Sequence, residues 1–105
     1  MEKLQSVEQF EQLKKEERTM FMFSADWCPD CRVIEPFLPA IEADYPEYNF
    51  IYVDRDDFMD VCQQLDVFGI PSFIAFHHGE EVGRFVSKDR KTKEEIEAFI
   101  NGLDA

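Results

Sequence analysis

The chain has 105 residues, 45% of them hydrophobic, and its 11 Phe, 3 Tyr and 1 Trp supply enough apolar bulk for one compact core but not for two. Its 11 basic and 23 acidic residues leave a formal charge of −12. A field of that sign repels phosphate backbones and anionic lipid, which argues against nucleic acid or a membrane as a partner.

No internal repeat and no Pro/Gly/Ser-rich linker divides the chain, so one domain over residues 1–105 is expected. Residues 1–5 are ambiguous and could add a short edge strand. Ser6 and Gln9 have the spacing of a capping box, and Val7, Phe10 and Leu13 recur behind them at helical spacing. Thr19–Phe23 reads as a strand buried on both faces. A helix is expected from Pro29–Cys31 to Asp44, with Val33, Ile34, Phe37, Leu38 and Ile41 as its apolar stripe. Pro36 predicts a kink inside it, and Pro46 marks its exit. Asn49–Asp54 is a second strand. Asp56–Leu65 is a short helix with acids where the dipole favours them. Ser72–Phe76 is a third strand, His77–Gly79 a turn, and Glu81–Val86 the returning hairpin strand. Thr92 and Glu95 form a capping box for a last helix that buries Ile96, Phe99, Ile100 and Leu103 and ends near Gly102. The order (β)αβαβαββα implies an α/β fold, a central mixed sheet of four to five strands flanked on both faces by about four helices.

Three cysteines are too few, and oddly numbered, for a secreted disulfide framework. The longest apolar runs, Met20–Phe23 and Phe73–Phe76, are far too short to span a bilayer, and the first residues lack an apolar leader. A cytoplasmic chain is therefore expected. Cys28 and Cys31 stand where a buried strand meets a helix, which points to redox or metal chemistry. A structural zinc needs four ligands, and only Cys62, His77 and His78 remain, so no metal is expected. On a first helical turn, residues three apart share one side and can bond. Cys28 there meets unpaired N–H groups and the positive dipole end, which stabilise a thiolate. The ring is small, so the disulfide gains little loop entropy and stays exchangeable. Pro29 suits a first turn because its missing N–H costs nothing there. Cys62 reads as a buried thiol acting as a small hydrophobe. Asp54, Asp56, Asp57 and Asp60 lack the Gly and Glu of a calcium loop and read as strand-end and helix-start acids.

The segment FMFSADWCPDC, with Pro36 five residues after Cys31 and Gly69-Ile70-Pro71 ahead of an apolar strand, resembles the thioredoxin family. The Trp-Cys-Pro-Asp-Cys centre resembles its thioredoxin-related subgroup, and the likeness spans nearly the whole chain. It implies the thioredoxin fold as a single domain over 1–105. It implies a thiol–disulfide oxidoreductase, a cytoplasmic disulfide reductase working by two-step exchange. In that likeness Cys28 is the exposed nucleophile and Cys31 the buried resolving thiol. Trp27 covers the site and meets substrate. Pro71 is cis and faces the sulfurs, while Ile70 offers its backbone to an extended substrate. Pro29, Asp30 and Ser87 shape the site. No bound cofactor is implied beyond the Cys28–Cys31 disulfide. The implied partners are disulfide-containing proteins or low-molecular-weight thiols, with a thioredoxin-reductase-like protein or a small thiol as electron donor to a monomer.

The chain departs from the family pattern at four places. Met22 stands where a buried Asp is usual, and Phe50 is matched to the Lys that pairs with it. Pro29-Asp30 replaces Gly-Pro, and Ser87 replaces a groove glycine. Without the Asp–Lys pair, water, Asp26, Asp30 or Glu35 must handle the proton, with Asp26 the named candidate. Asp30 raises the Cys28 pKa while the helix terminus lowers it, which leaves the balance open. The acids Asp26, Asp30 and Glu35, against Arg32 alone, predict faster reaction with basic or neutral disulfides. Two other functions fit the same residues: a non-catalytic binding module of this fold, docking a partner across Trp27, Ile70 and Ser87, and an oxidase- or isomerase-biased relative.

Overall fold

The computed structural model describes residues 1–103. In chain order it contains β1 (Glu2–Lys3), α1 (Val7–Lys14), β2 (Thr19–Ser24), α2 (Pro29–Ile34), a 3-10 turn (Glu35–Phe37), α3 (Leu38–Asp44), β3 (Asn49–Asp54), α4 (Met59–Gln64), β4 (Ser72–His77), β5 (Glu80–Phe85) and α5 (Lys93–Asn101). The strands form one five-stranded sheet in the order β1-β3-β2-β4-β5. β1, β3 and β2 are parallel, while β4 runs antiparallel to β2 and β5 antiparallel to β4. The first residues do form an edge strand, and the mixed sheet has the expected order. Among the described residues no helix is long and apolar enough to cross a membrane.

β2 explains why the sheet is covered on both faces. All six of its residues are buried. A strand turns successive side chains to opposite faces. Phe21 and Phe23 therefore pack with Phe10 and Leu13 of α1 and Val61 and Cys62 of α4. Met20 and Met22 pack on the other face with Ile34, Leu38 and Ile41, and with Ile96 and Ile100 of α5. The chain leaves this doubly covered strand at Ser24, and the cysteines follow at once.

The long helix expected to Asp44 is in fact two helices joined by the 3-10 turn. Pro36 cannot donate to the ladder and crowds the preceding turn, and Pro39 at the second position of α3 lets the helix restart. The break swings part of the expected stripe outward: Val33 is 44% exposed and Phe37 43%. α4 begins at Met59, later than the expected Asp56, because Asp54 Oδ1 accepts the N–H of Asp56 at 2.8 Å and holds the preceding residues in a turn. Ser6 caps α1 through Gln9 N–H at 3.0 Å, but the Gln9 side chain accepts from Gln5 N–H, so the box is half formed. The Thr92–Glu95 box is complete.

Candidate active site

Cys28 is the N-cap of α2, with Pro29 in the first turn. Its backbone is extended (φ −82°, ψ 111°), which aims the side chain back over the helix end. The Cys31 N–H donates to Cys28 Sγ at 3.2 Å, so the cap is the sulfur itself. Cys28 and Cys31 are joined as a disulfide, with Cα atoms 5.2 Å apart. Cys31 is 0% exposed and Cys28 only 4%. The expectation of an exposed Cys28 is corrected to this extent: its rank above Cys31 stands, but Ala25 and Ile70 pack around both cysteines and leave only an edge of the first open.

The Ile70–Pro71 peptide is cis. Ile70 O lies 3.9 Å from Cys28 Sγ, which puts this loop directly over the sulfur. The Ser72 hydroxyl donates to Gly69 O and ties the loop to β4. Gly69 packs so closely on the loop before α5 that a Cβ there would lie 2.7 Å from Ser87 C and 2.8 Å from Lys88 Cα. Ser87 thus borders the same groove as Ile70 and Pro71.

Trp27 is 57% exposed. Its indole N–H donates to Asp56 Oδ2 at 2.8 Å, and the Arg55 guanidinium lies 5.7 Å from the ring centroid. Asp30 receives Arg90 Nε at 2.9 Å. Asp26 is exposed, and Arg32 Nε donates to its backbone oxygen at 2.9 Å. No hydrogen bond joins the Asp26 carboxylate to either cysteine among the described residues. The structure therefore brings Trp27, Cys28, Pro29, Cys31, Ile70 and Pro71 together, with Asp30 and Ser87 at the edges, and leaves Asp26 outside. The acidic surround is also weaker than expected, since Asp30 has a cationic partner.

The residue opposite Met22 on β3 is Tyr52; Phe50 lies opposite Met20. Phe50 packs in the same buried cluster as Met22, and neither supplies a charge there. Burial pushes the Tyr52 phenol above its ordinary 10.0, so neither member of the Met22–Tyr52 pair carries charge at neutral pH. Among the described residues no three His, Cys, Asp or Glu side chains gather as a metal site. Asp56, Arg90 and Lys91 were not foreseen as site residues. Asp56 and Arg90 each work through a residue far away in sequence, and Lys91 through the loop that carries it, and no helix or strand periodicity marks such contacts.

Comparison with known proteins agrees with this geometry. The thioredoxin family profile matches residues 2–102. Human thioredoxin is 40% identical over 81 residues, covering 77% of this chain and 74% of its own. The mitochondrial thioredoxin-2 of Schizosaccharomyces pombe is 32% identical over 96 residues, covering 88% and 72%. Among solved structures, thioredoxin from Trypanosoma brucei brucei superposes with a TM-score of 0.81 at 27% identity, covering 94% of this chain and 89% of that one. Oxidised mitochondrial thioredoxin 3 from Saccharomyces cerevisiae shares the fold, with a TM-score of 0.81 at 22% identity over 96% and 94% of the two chains. The chain belongs to the thioredoxin family, and its activity is that of a thiol–disulfide oxidoreductase, a disulfide reductase of the thioredoxin type.

Proposed function

We propose that the protein reduces target disulfides in two steps, with Cys28 as nucleophile and Cys31 as resolving thiol. The observation that carries this is the Cys31 N–H directed at Cys28 Sγ at 3.2 Å. A donor in that place favours the anionic form of the first sulfur once the disulfide is opened. The Cys28 thiolate attacks one sulfur of the target. A Cys28–target bond forms, the target S–S bond breaks, and the first target sulfur leaves as thiolate. Cys31 then gives up its proton and attacks Cys28 Sγ. The Cys28–Cys31 bond forms and the second target sulfur leaves. Two electrons pass from the cysteine pair to the target, and each departing thiolate takes a proton from water or from Cys31. Complete burial of Cys31 suits it to the second, intramolecular step.

The open edge of Cys28 beside the Ile70 carbonyl suits an extended segment of a target protein laid along Gly69–Pro71. No cofactor is invoked, since the exchanging bond is itself the redox group. A thioredoxin-reductase-like protein or a small thiol restores the reduced pair of a monomer. A reducing compartment, the cytoplasm, fits a chain that keeps Cys62 as a free thiol.

The test is trapping. Cys31→Ser is expected to accumulate mixed disulfides on Cys28, released by dithiothreitol, which wild type and Cys28→Ser do not. An identical captured set with Cys28→Ser, or wild type that fails to reduce insulin, would overturn the reading. A reduction potential well above about −200 mV would assign the oxidase-biased function instead.

A further inference from the structure

We propose that Arg90 is a positioning residue for this exchange: by pairing with Asp30 it offsets the carboxylate that lies between the two cysteines, and so keeps the Cys28 thiolate accessible near neutral pH. The inference rests on the redox reading of Cys28 and Cys31.

Asp30 is an acid in the first turn of the helix that Cys28 caps. Alone, its charge would work against a thiolate two residues away. Arg90 reaches it from the loop before α5, sixty residues on, with Nε 2.9 Å from Oδ1. The loop that carries Arg90 is fastened on both sides. Lys91 is 1% exposed, and its Nζ donates to Ser87 Oγ at 3.1 Å, to Asp89 O at 3.2 Å and to Ser87 O at 3.4 Å. The same ammonium sits 4.9 Å from the Phe85 ring centroid. On the other side the loop abuts Gly69 without room for a Cβ. Arg90 is therefore presented from a fixed backbone, while its side chain is 63% exposed and is held by the Asp30 carboxylate. Burial holds Lys91 below its ordinary 10.5, while Asp89, Glu95 and Asp30 pull the other way, so Asp30 also feels this second cation.

The other charges around the motif have different engagements. On its own segment, on α2 and on the 3-10 turn after it lie Asp26, Arg32 and Glu35, and Arg32 is bonded to the Asp26 carbonyl. On the Trp27 side are Arg55, over the indole, and Asp56, bonded to it. The loop before α5 adds Lys88, Asp89, Arg90 and Lys91. Among the described residues Arg90 is the cation in direct contact with Asp30.

The experiment is a double-mutant cycle read as the pH profile of Cys28 alkylation by iodoacetamide in the reduced full chain, resolved by mass spectrometry. Arg90→Gln is expected to raise the midpoint by about 0.4 pH unit, the effect of one unit charge at about 8 Å in water. Below both midpoints that makes alkylation about 2.5-fold slower. Asp30→Asn is expected to lower the midpoint, and Arg90→Lys to restore most of the wild-type value. The decisive comparison is Asp30→Asn against Asp30→Asn/Arg90→Gln: without its carboxylate partner the exposed Arg90 side chain swings into bulk water, so the shift there should fall well below the one in the wild-type background. An Arg90→Gln shift of equal size in both backgrounds, or no shift in either, would overturn the proposal. A wild-type Cys28 that does not react at all would overturn the redox reading and this inference with it.

Discussion

The indole N–H of Trp27 and the Asp56 carboxylate, 2.8 Å apart, tie the residue before the first cysteine to the turn that follows β3. Asp56 is itself fixed by its own N–H on Asp54 Oδ1. The large exposed ring is thus held by one edge, and the bound substrate need not immobilise it. Immobilising a free side chain costs about 0.5–1.5 kcal/mol. Asp56→Ala is expected to raise KM for a protein disulfide roughly two- to tenfold and to leave Cys28 alkylation unchanged. Trp27 is the sole tryptophan, so acrylamide quenching should rise in the variant. Unchanged KM together with unchanged quenching would refute the tether.

Two glycines separate a rigid constraint from a soft one. A Cβ on Gly69 would meet backbone atoms of Ser87 and Lys88. Those atoms belong to a loop braced by Lys91 and cannot yield without opening the groove. A Cβ on Gly83 would meet a terminal methyl of Leu103, a side chain that can rotate. Gly69→Ala is expected to cost about 1–3 kcal/mol, as overpacking does, and to depress reduction of protein disulfides. Gly83→Ala should cost clearly less in the same urea melt. Equal losses would show that the Ser87 loop is free to move.

What could be read from the sequence was local. β2 announced its double burial in five consecutive residues, and Thr92 with Glu95 announced a complete cap. The Cys28–Cys31 pair is legible because its spacing relates directly to a helix start, whereas Pro71 is legible only through the resemblance of Gly69-Ile70-Pro71 to the family's loop. The Pro36 kink was foreseen, but its consequence was not: a 3-10 turn rotates Val33 and Phe37 into solvent. Phe50 and Tyr52 are two apart and face the same side of the sheet, so alternation alone does not say which stands opposite Met22; the register of β3 against β2 does. Arg90 with Asp30, and Trp27 with Asp56, join residues distant in sequence, and no periodicity marks such a pair.

Cys62 packs in the core face beneath α4 and is 5% exposed. Burial pushes its thiol above the ordinary 9.0, with Arg55 pulling it partly back. The folded chain thus keeps this proton longer than the unfolded chain. The resulting stability is complete below pH 9.0 and is lost as pH rises through the folded value. At pH 8, alkylation of Cys62 in the folded protein is expected to be at least about tenfold slower than in urea, since burial both protonates the thiol and blocks access. Comparable rates in the two solvents would refute its burial.

Lys91 gives a pH dependence of the opposite sign. Desolvation lowers its pKa from 10.5, against the pull of Asp89, Glu95 and Asp30. In the window between the lowered value and 10.5 the unfolded chain binds more proton than the folded one, so this group's contribution to stability grows as pH rises. Below the window its burden is constant, and above 10.5 it is gone. Lys91→Met keeps the chain's length and removes the titration, and at pH 7 it is expected to be roughly neutral, as replacement of a buried charge by an apolar isostere often is. Cys62 and the tyrosines titrate alike in both proteins and cancel in the difference. Urea melts from pH 7 to 11 should therefore show wild type gaining on Lys91→Met as the solution becomes alkaline. A flat or falling difference would mean that the ammonium is hydrated, and that the loop carrying Arg90 is not braced from within.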